Sequence, residues 1–351
     1  MRIQNTLCIT CLLALFSSAC APAVHTQTPY QPGFFYLSLS PGTTLEIADQ
    51  PGAAIKKHIP LEPPAGCTLY ALRPAPKGPW IAVEWECVSG PSVELLDTSS
   101  GRSRFALSDP TIDNRYLAWH PDGLSVYLKI GTLSVPQTLR VNVLNAKAVE
   151  LPISPYTYDL AVSPDGRSVL FSLSRGIGSG SETWVIASEG QTPSMLLTNP
   201  QNITALAQYS PDGSKIAFIK IPDTQDATPT GELWLMNADG TQAQKIAGVD
   251  AGHGFFPVWS PDGTKIVYVG RQTPQDPNAL NLSIITPATG SIISVAQTPL
   301  TQPGWSPSGA MVAFSSTGQA RDDKMIVWLY DLQKEQPDPW LKHACCAGWI
   351  K

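Results

Sequence analysis

One short turn recurs along this chain, and its spacing limits the folds open to it. It reads "HPDG" at 120–123, "SPDG" at 163–166, 210–213 and 260–263, "SPSG" at 306–309, and in degraded form "RPAPKG" at 73–78. The closing glycines (Gly78, Gly123, Gly166, Gly213, Gly263, Gly309) follow one another every 43 to 50 residues. Three places after each stands an apolar residue: Ile81, Val126, Val169, Ile216, Ile266 and Val312. A strand runs into each turn, as "PVW" does at 257–259, and a second leaves it, as "KIVYV" does at 265–269. A third strand follows, such as "ELWLMNADG" (232–240), and then a weaker fourth, such as "AQKIAG" (243–248). Four short strands in roughly 45 residues is the period of a propeller blade. A lone blade cannot bury both faces, so radial neighbours must cover them.

The expected fold class is all-β: a β-propeller of four-stranded antiparallel blades. Six turns predict six blades. A seventh closes if "GFFYLSLSPGTTLEIAD" (33–49), which has the pattern of an outer half-blade, meets "CCAGWIK" (345–351) as an inner strand. Either count brings the termini together. The 33 prolines suit turn-rich β structure and sit badly in long helices.

The turn residues answer a backbone need. Proline presets φ, the aspartate oxygen accepts nearby backbone N–H groups, and glycine takes positive φ without a Cβ clash. Asp122, Asp165, Asp212 and Asp262 therefore read as turn residues rather than metal ligands, with Ser308 as the weaker equivalent. Trp119, Tyr209, Trp259 and Trp305 recur just ahead of the turn, which marks them as wedges between blades rather than a ligand platform.

"YSPDGSKIAFIK…GELWLMNADG" and "WSPDGTKIVYVG" resemble the propeller repeats of the TolB family, and the same repeat type occurs in the propeller domains of prolyl oligopeptidase-like peptidases. The resemblance covers residues 67–335. It implies a periplasmic propeller that acts mainly by binding partners. The chain departs from TolB in having only residues 21–66 ahead of the first repeat, too few for TolB's separate α/β domain.

The first residues, "MRIQNTLCITCLLALFSSAC", place Arg2 before a short apolar run and then small residues. This is the pattern of an export signal, and Cys20 after "SSA" matches a bacterial lipoprotein cleavage and lipidation site, with Ser17 standing where leucine is usual. The expected organisation is a signal peptide at 1–19, a flexible tether at 20–32, and one propeller domain at 33–351. The expected location is outside the cytoplasm, lipid-anchored through Cys20 to a bacterial membrane. Four cysteines follow Cys20. Cys67 and Cys87 lie on neighbouring predicted strands and are candidates for a disulfide in such a compartment, while Cys345 and Cys346 are left to bridge each other, stay reduced or pair elsewhere.

Composition and motifs exclude several chemistries. A formal net charge of −5 gives no basic face for nucleic acid. There is no G-x-S-x-G elbow, no H-E-x-x-H helix and no phosphate-binding P-loop. "HACC" (343–346) offers soft ligands, but two adjacent thiols fit one tetrahedral ion poorly, so no metal and no cofactor is expected. Recognition then falls to the rim opposite the Asp-Gly turns, where the irregular loops gather. Arg175, His253, Phe255, Arg271, Arg321 and Asp322 are the candidate binding residues. Arg271 and Arg321 occupy similar places in neighbouring repeats. The expected function is non-catalytic recognition of a protein or peptide at the cell envelope. The alternative is an enzyme (hydrolase or lyase) or a carbohydrate-binding protein with its site in the central channel.

Overall fold

The structure is a computed structural model that describes residues 32–350 except 41, 107–112, 132–135, 177, 189–191, 225–228, 274–275, 298 and 318–324. Cys20, Arg321 and Asp322 lie outside the described residues.

Each turn does what its residues dictate. In the turn at 163–166 the Ser163 hydroxyl donates to Asp165 Oδ1 at 2.6 Å, the Arg167 N–H donates to the same oxygen at 3.0 Å, and the Ser168 N–H donates back to Ser163 Oγ at 2.9 Å. The same three bonds recur at Ser210–Asp212 and Ser260–Asp262. These donors hold the carboxyls of Asp165, Asp212 and Asp262 below the usual aspartate range, the serine hydroxyl contributing most. Where Ser308 replaces aspartate, its hydroxyl lies 3.2 Å from Ser306 Oγ and accepts the Ala310 N–H at 3.4 Å, a longer version of the same turn.

Seven antiparallel sheets of four strands result, stacked side by side into a closed ring. Blades 2 to 7 run in chain order, with inner strands Cys67–Pro74, Asp113–Trp119, Thr157–Val162, Asn202–Tyr209, Val258–Trp259 and Gly304–Trp305. Blade 1 is composite: the C-terminal strand Ala344–Ile350 pairs with Gly33–Ser38, followed outward by Thr44–Ala48 and Ile55–Pro60. The expectation of six blades is thus corrected to seven. The six turns join inner to second strands within one stretch of chain. In blade 1 those two strands come from opposite ends of the sequence, so no turn marks it.

Apolar side chains fill the gaps between blades. Val93 and Leu95 of blade 2 meet Val126 and Leu128 of blade 3, and the pattern repeats around the ring. The wedge tryptophans bind blade to blade with polar as well as apolar contact. The indole N–H of Trp119 donates to Arg73 O at 2.8 Å, that of Trp259 to Gln208 O at 3.3 Å, and that of Trp305 to Val258 O at 3.0 Å. Each reaches the inner strand of the preceding blade. At the closure Phe34, Tyr36, Trp340 and Trp349 form an edge-to-face aromatic group. Cys67 and Cys87 stand opposite each other at the end of the first hairpin of blade 2 and are disulfide-bonded.

Candidate functional site

The connection from blade 5 to blade 6, residues 251–257, is anchored by a buried polar group. Asp250, the last residue of the outer strand Gln244–Asp250, has a fully buried carboxylate. It accepts from Arg271 Nε at 2.7 Å, from the His253 backbone N–H at 3.0 Å, and lies 2.9 Å from His253 Nδ1. The Arg271 side chain is only 5 % exposed and also donates from Nη2 to Pro229 O at 3.2 Å. The Phe255 ring stacks on His253 with centroids 6.3 Å apart. Three rim candidates, His253, Phe255 and Arg271, are therefore brought together, but around a residue the sequence did not single out. Arg271 is committed to Asp250 and faces away from solvent. Arg175 stands elsewhere, in blade 4, as a half-exposed ion pair with Glu182 at 2.9 Å.

What this anchor fixes is the next residue. The Phe256 N–H donates to Gln302 Oε1 at 2.9 Å, and Gln302 Nε2 donates back to Phe256 O at 3.0 Å, tying the blade 6 connection to that of blade 7. The Phe256 ring then lies 5.3 Å from Arg73 Cζ of blade 2. Blades 2 and 6 are not neighbours in the ring, so the contact spans the central opening.

Arg73 is held on several sides. Tyr116, on the inner strand of blade 3, places its ring 5.7 Å from the same Cζ. Glu84, on the second strand of blade 2, accepts from Arg73 Nε at 2.7 Å. Among the described residues no hydrogen bond takes up the two Nη groups of Arg73. A guanidinium beside two aromatic rings and anchored at Nε presents its two Nη groups as a planar fork of donors. Burial pushes the Glu84 carboxyl up despite the attraction of Arg73, and burial likewise raises the Tyr116 phenol.

Further charge surrounds the group. Arg115 is exposed on the inner strand of blade 3 and acts on both Glu84 and Lys129. Lys129 donates to Thr157 O across the blade 3–4 boundary, and burial lowers its ammonium. On the inner strand of blade 4, Asp159 is buried and accepts the Ala207 N–H of blade 5 at 3.0 Å. Burial outweighs the backbone donors and raises its carboxyl to about 6. Among the described residues no three His, Cys, Asp or Glu side chains gather as a metal site.

Sequence reasoning passed over Arg73, Glu84, Tyr116, Asp159, Phe256 and Gln302. A signal existed. Tyr116, Asp159, Phe256 and Gln302 each stand seven residues before the glycine of their own turn. The repeat that located the turns also numbers the residues of the inner strand and of the connection feeding it.

The family model described as the TolB beta propeller domain matches residues 156–336. Among solved structures, TolB from Acinetobacter baumannii superposes with a TM-score of 0.52 at 18 % identity, over 88 % of this chain and 79 % of that one. An oligogalacturonate lyase in complex with manganese gives 0.57 at 13 % identity, over 90 % and 86 %. A puromycin-hydrolysing peptidase of Mycobacterium tuberculosis gives 0.61 at 14 % identity, over 86 % of this chain but 49 % of that one. At these identities the structural likeness speaks for the fold alone.

Proposed function

The chain belongs to the family of TolB β-propeller domains, and from that premise we propose that it is an extracytoplasmic recognition propeller whose ligand enters the central opening. Its ligand is an acidic segment of a protein or peptide at the cell envelope, and the anchor to the membrane is lipid on Cys20. The observation that carries this reading is Arg73, flanked by Tyr116 and Phe256 across the opening, with no hydrogen bond to its Nη groups among the described residues. Such a fork matches a carboxylate bidentately. Arg115, exposed on the adjacent inner strand, adds a second positive charge. The rim loops act one step back: Asp250, Arg271 and His253 hold the connection from which Phe256 projects.

The test is affinity capture from the organism's own envelope fraction with the mature protein, comparing wild type, Arg73→Lys, Phe256→Ala and Arg175→Ala. The expected result is one acidic protein retained by wild type and Arg175→Ala and lost from the other two, since lysine keeps the charge but lacks the fork. Equal capture by wild type and all three variants refutes the site.

A second reading, catalysis in the opening, is favoured by two carboxyls, Glu84 and Asp159, raised by burial near the inner strands. Carboxyls shifted this way are common in acid–base sites. Solved structures of similar fold include the oligogalacturonate lyase and the puromycin-hydrolysing peptidase. A screen of acidic oligosaccharides and short peptides tests it: turnover abolished by Asp159→Asn or Glu84→Gln supports the enzyme, and turnover unchanged in both removes it.

A further inference from the structure

Cys345 and Cys346 lie on the inner strand of blade 1, Ala344–Ile350, which closes the ring. Successive side chains of an extended strand point to opposite faces, so adjacent cysteines normally diverge. Here their Sγ atoms stand 2.7 Å apart, closer than unbonded sulfurs pack. The backbone explains how. Pairing with Gly33–Ser38 shifts register between Phe35 and Leu37, and Cys346 sits in this bulge with φ of 58°, a left-handed conformation that L-residues rarely adopt. The Cys346 N–H donates to Ser315 Oγ of blade 7 at 3.1 Å, which holds the bulge in place. Cys345 is buried and Cys346 half-buried, so the second sulfur supplies the approach from solvent. The thiol of Cys346 lies within donating distance of Cys345 and draws the Cys345 thiol down. The bonded pair Cys67–Cys87 elsewhere in the chain fits an oxidising compartment.

We propose that Cys345 and Cys346 form a vicinal redox site that closes to a disulfide within the ring-closing strand, by exchange with a disulfide donor of the dithiol-oxidase class. Cys346, the accessible sulfur, gives its proton to solvent and attacks one sulfur of the donor disulfide, and the donor's other sulfur leaves as a thiolate. The Cys345 thiolate then attacks Cys346 Sγ and displaces the remaining donor sulfur, so one S–S bond forms as one is lost. The two protein thiols are oxidised by two electrons, and the donor disulfide is reduced to two thiols. The closed form locks the left-handed turn at Cys346, the point where blade 1 meets Ser315 of blade 7. The oxidation state of the pair is therefore built into the closure of the ring.

The experiment uses the mature full-length protein and glutathione disulfide as oxidant. Protein is equilibrated with excess glutathione disulfide, denatured, alkylated with iodoacetamide before or after reduction, and digested with trypsin. The peptide "HACCAGWIK" (343–351) holds both cysteines and no other. The expected product is this peptide two hydrogens lighter and unalkylated before reduction, gaining two alkyl groups only afterwards. In Cys346→Ser the same peptide retains a single thiol that either alkylates without reduction or carries glutathione, and no internal bridge forms. Two alkyl groups on the wild-type peptide without reduction would overturn the proposal. So would a peptide cross-linked to Cys67, to Cys87 or to a second chain.

Discussion

Arg73 and Phe256 meet across the middle of the ring: the guanidinium carbon of the first lies 5.3 Å from the ring centre of the second. Their blades are separated by blades 7 and 1 in one direction and by blades 3, 4 and 5 in the other. The contact exists only because the ring closes, and it forms a polar and aromatic bar between blades that are not neighbours. Everything that fixes Phe256 therefore bears on the opening. Gln302 holds its backbone from blade 7, and Asp250 holds the start of its connection from blade 5.

Arg73 and Glu84 should prove energetically coupled. Their side chains are 19 % and 12 % exposed, so breaking the pair leaves a carboxylate with little water. Arg73→Ala is expected to cost about 3 kcal/mol at pH 7, toward the lower end for a pair broken from one side, because Glu84 can take up a proton. Glu84 already titrates above its ordinary value in the fold. A raised acid favours the folded state when protonated, so the deficit of Arg73→Ala should shrink as pH falls toward 4. The double variant Arg73→Ala/Glu84→Gln should lose less than the two single losses added together, by about 1 kcal/mol or more. Urea unfolding at pH 4.5 and 7 reads both effects, and strict additivity at both pH values would refute the coupling.

Asp159 sets a pH dependence of opposite sign to that of the turn aspartates. Its carboxyl rises from the ordinary 3.8 to about 6. Between those values the folded chain binds more protons than the unfolded chain, so stability falls as pH rises through the window and stays lower above it. The size is about 3 kcal/mol. Asp165, Asp212 and Asp262 are held low, and what they add is lost as pH falls below the ordinary aspartate value. Subtracting the stability curve of Asp159→Asn from that of wild type isolates the first effect. The difference is expected to move against wild type from pH 4 to 6 and then level off. A flat difference across that range would show that Asp159 titrates normally.

The turns were legible in the sequence because they are local. Proline, aspartate and glycine act within six residues, and their hydrogen bonds recur blade after blade. The seventh blade was only half legible: its strands Gly33–Ser38 and Ala344–Ile350 had the right pattern but no turn between them. The rim loops led to His253, Phe255 and Arg271, which do cluster, yet Asp250 was hidden at the end of an outer strand and Phe256 beside the flagged Phe255. Arg73 stands at the start of the degraded turn "RPAPKG", where nothing local distinguishes it. Which blades face each other across the axis depends on the blade count, and no local period encodes it.

Two arginines among the rim candidates, Arg271 and Arg175, should behave differently. Asp250 is fully buried and Arg271 nearly so, whereas Arg175 and Glu182 pair at the surface. Arg271→Ala leaves the Asp250 carboxylate with His253 as its remaining side-chain partner among the described residues, and is expected to cost about 3–5 kcal/mol. Arg175→Ala is expected to cost under about 1 kcal/mol. Because Asp250 anchors the connection that carries Phe256, Arg271→Met should also weaken capture of the envelope partner while Arg175→Ala leaves it intact. Urea midpoints and the capture assay separate the two positions. Similar losses for both arginines would mean that the buried pair contributes no more than a surface one.

Gly123 and Gly213 close the turns of blades 3 and 5 with φ of 70° and 75°, so a Cβ is disfavoured at both. Alanine at Gly213 meets nothing nearer than Pro164 Cδ at 3.5 Å. Its cost should be the conformational one alone, about 1–2 kcal/mol. Alanine at Gly123 would overlap the carbonyl of Lys77, in the degraded turn of blade 2, and a backbone group cannot swing aside as a side chain does. The Lys77 turn must move, and with it the adjoining Arg73–Pro74 end of the inner strand. Gly123→Ala is therefore expected to lose more than about 4 kcal/mol, in the range reserved for severe packing faults. It should also disturb ligand capture through Arg73, an effect that Gly213→Ala lacks. Thermal unfolding of the two variants side by side decides the matter: equal shifts would show that the blade 2 and blade 3 turns do not abut.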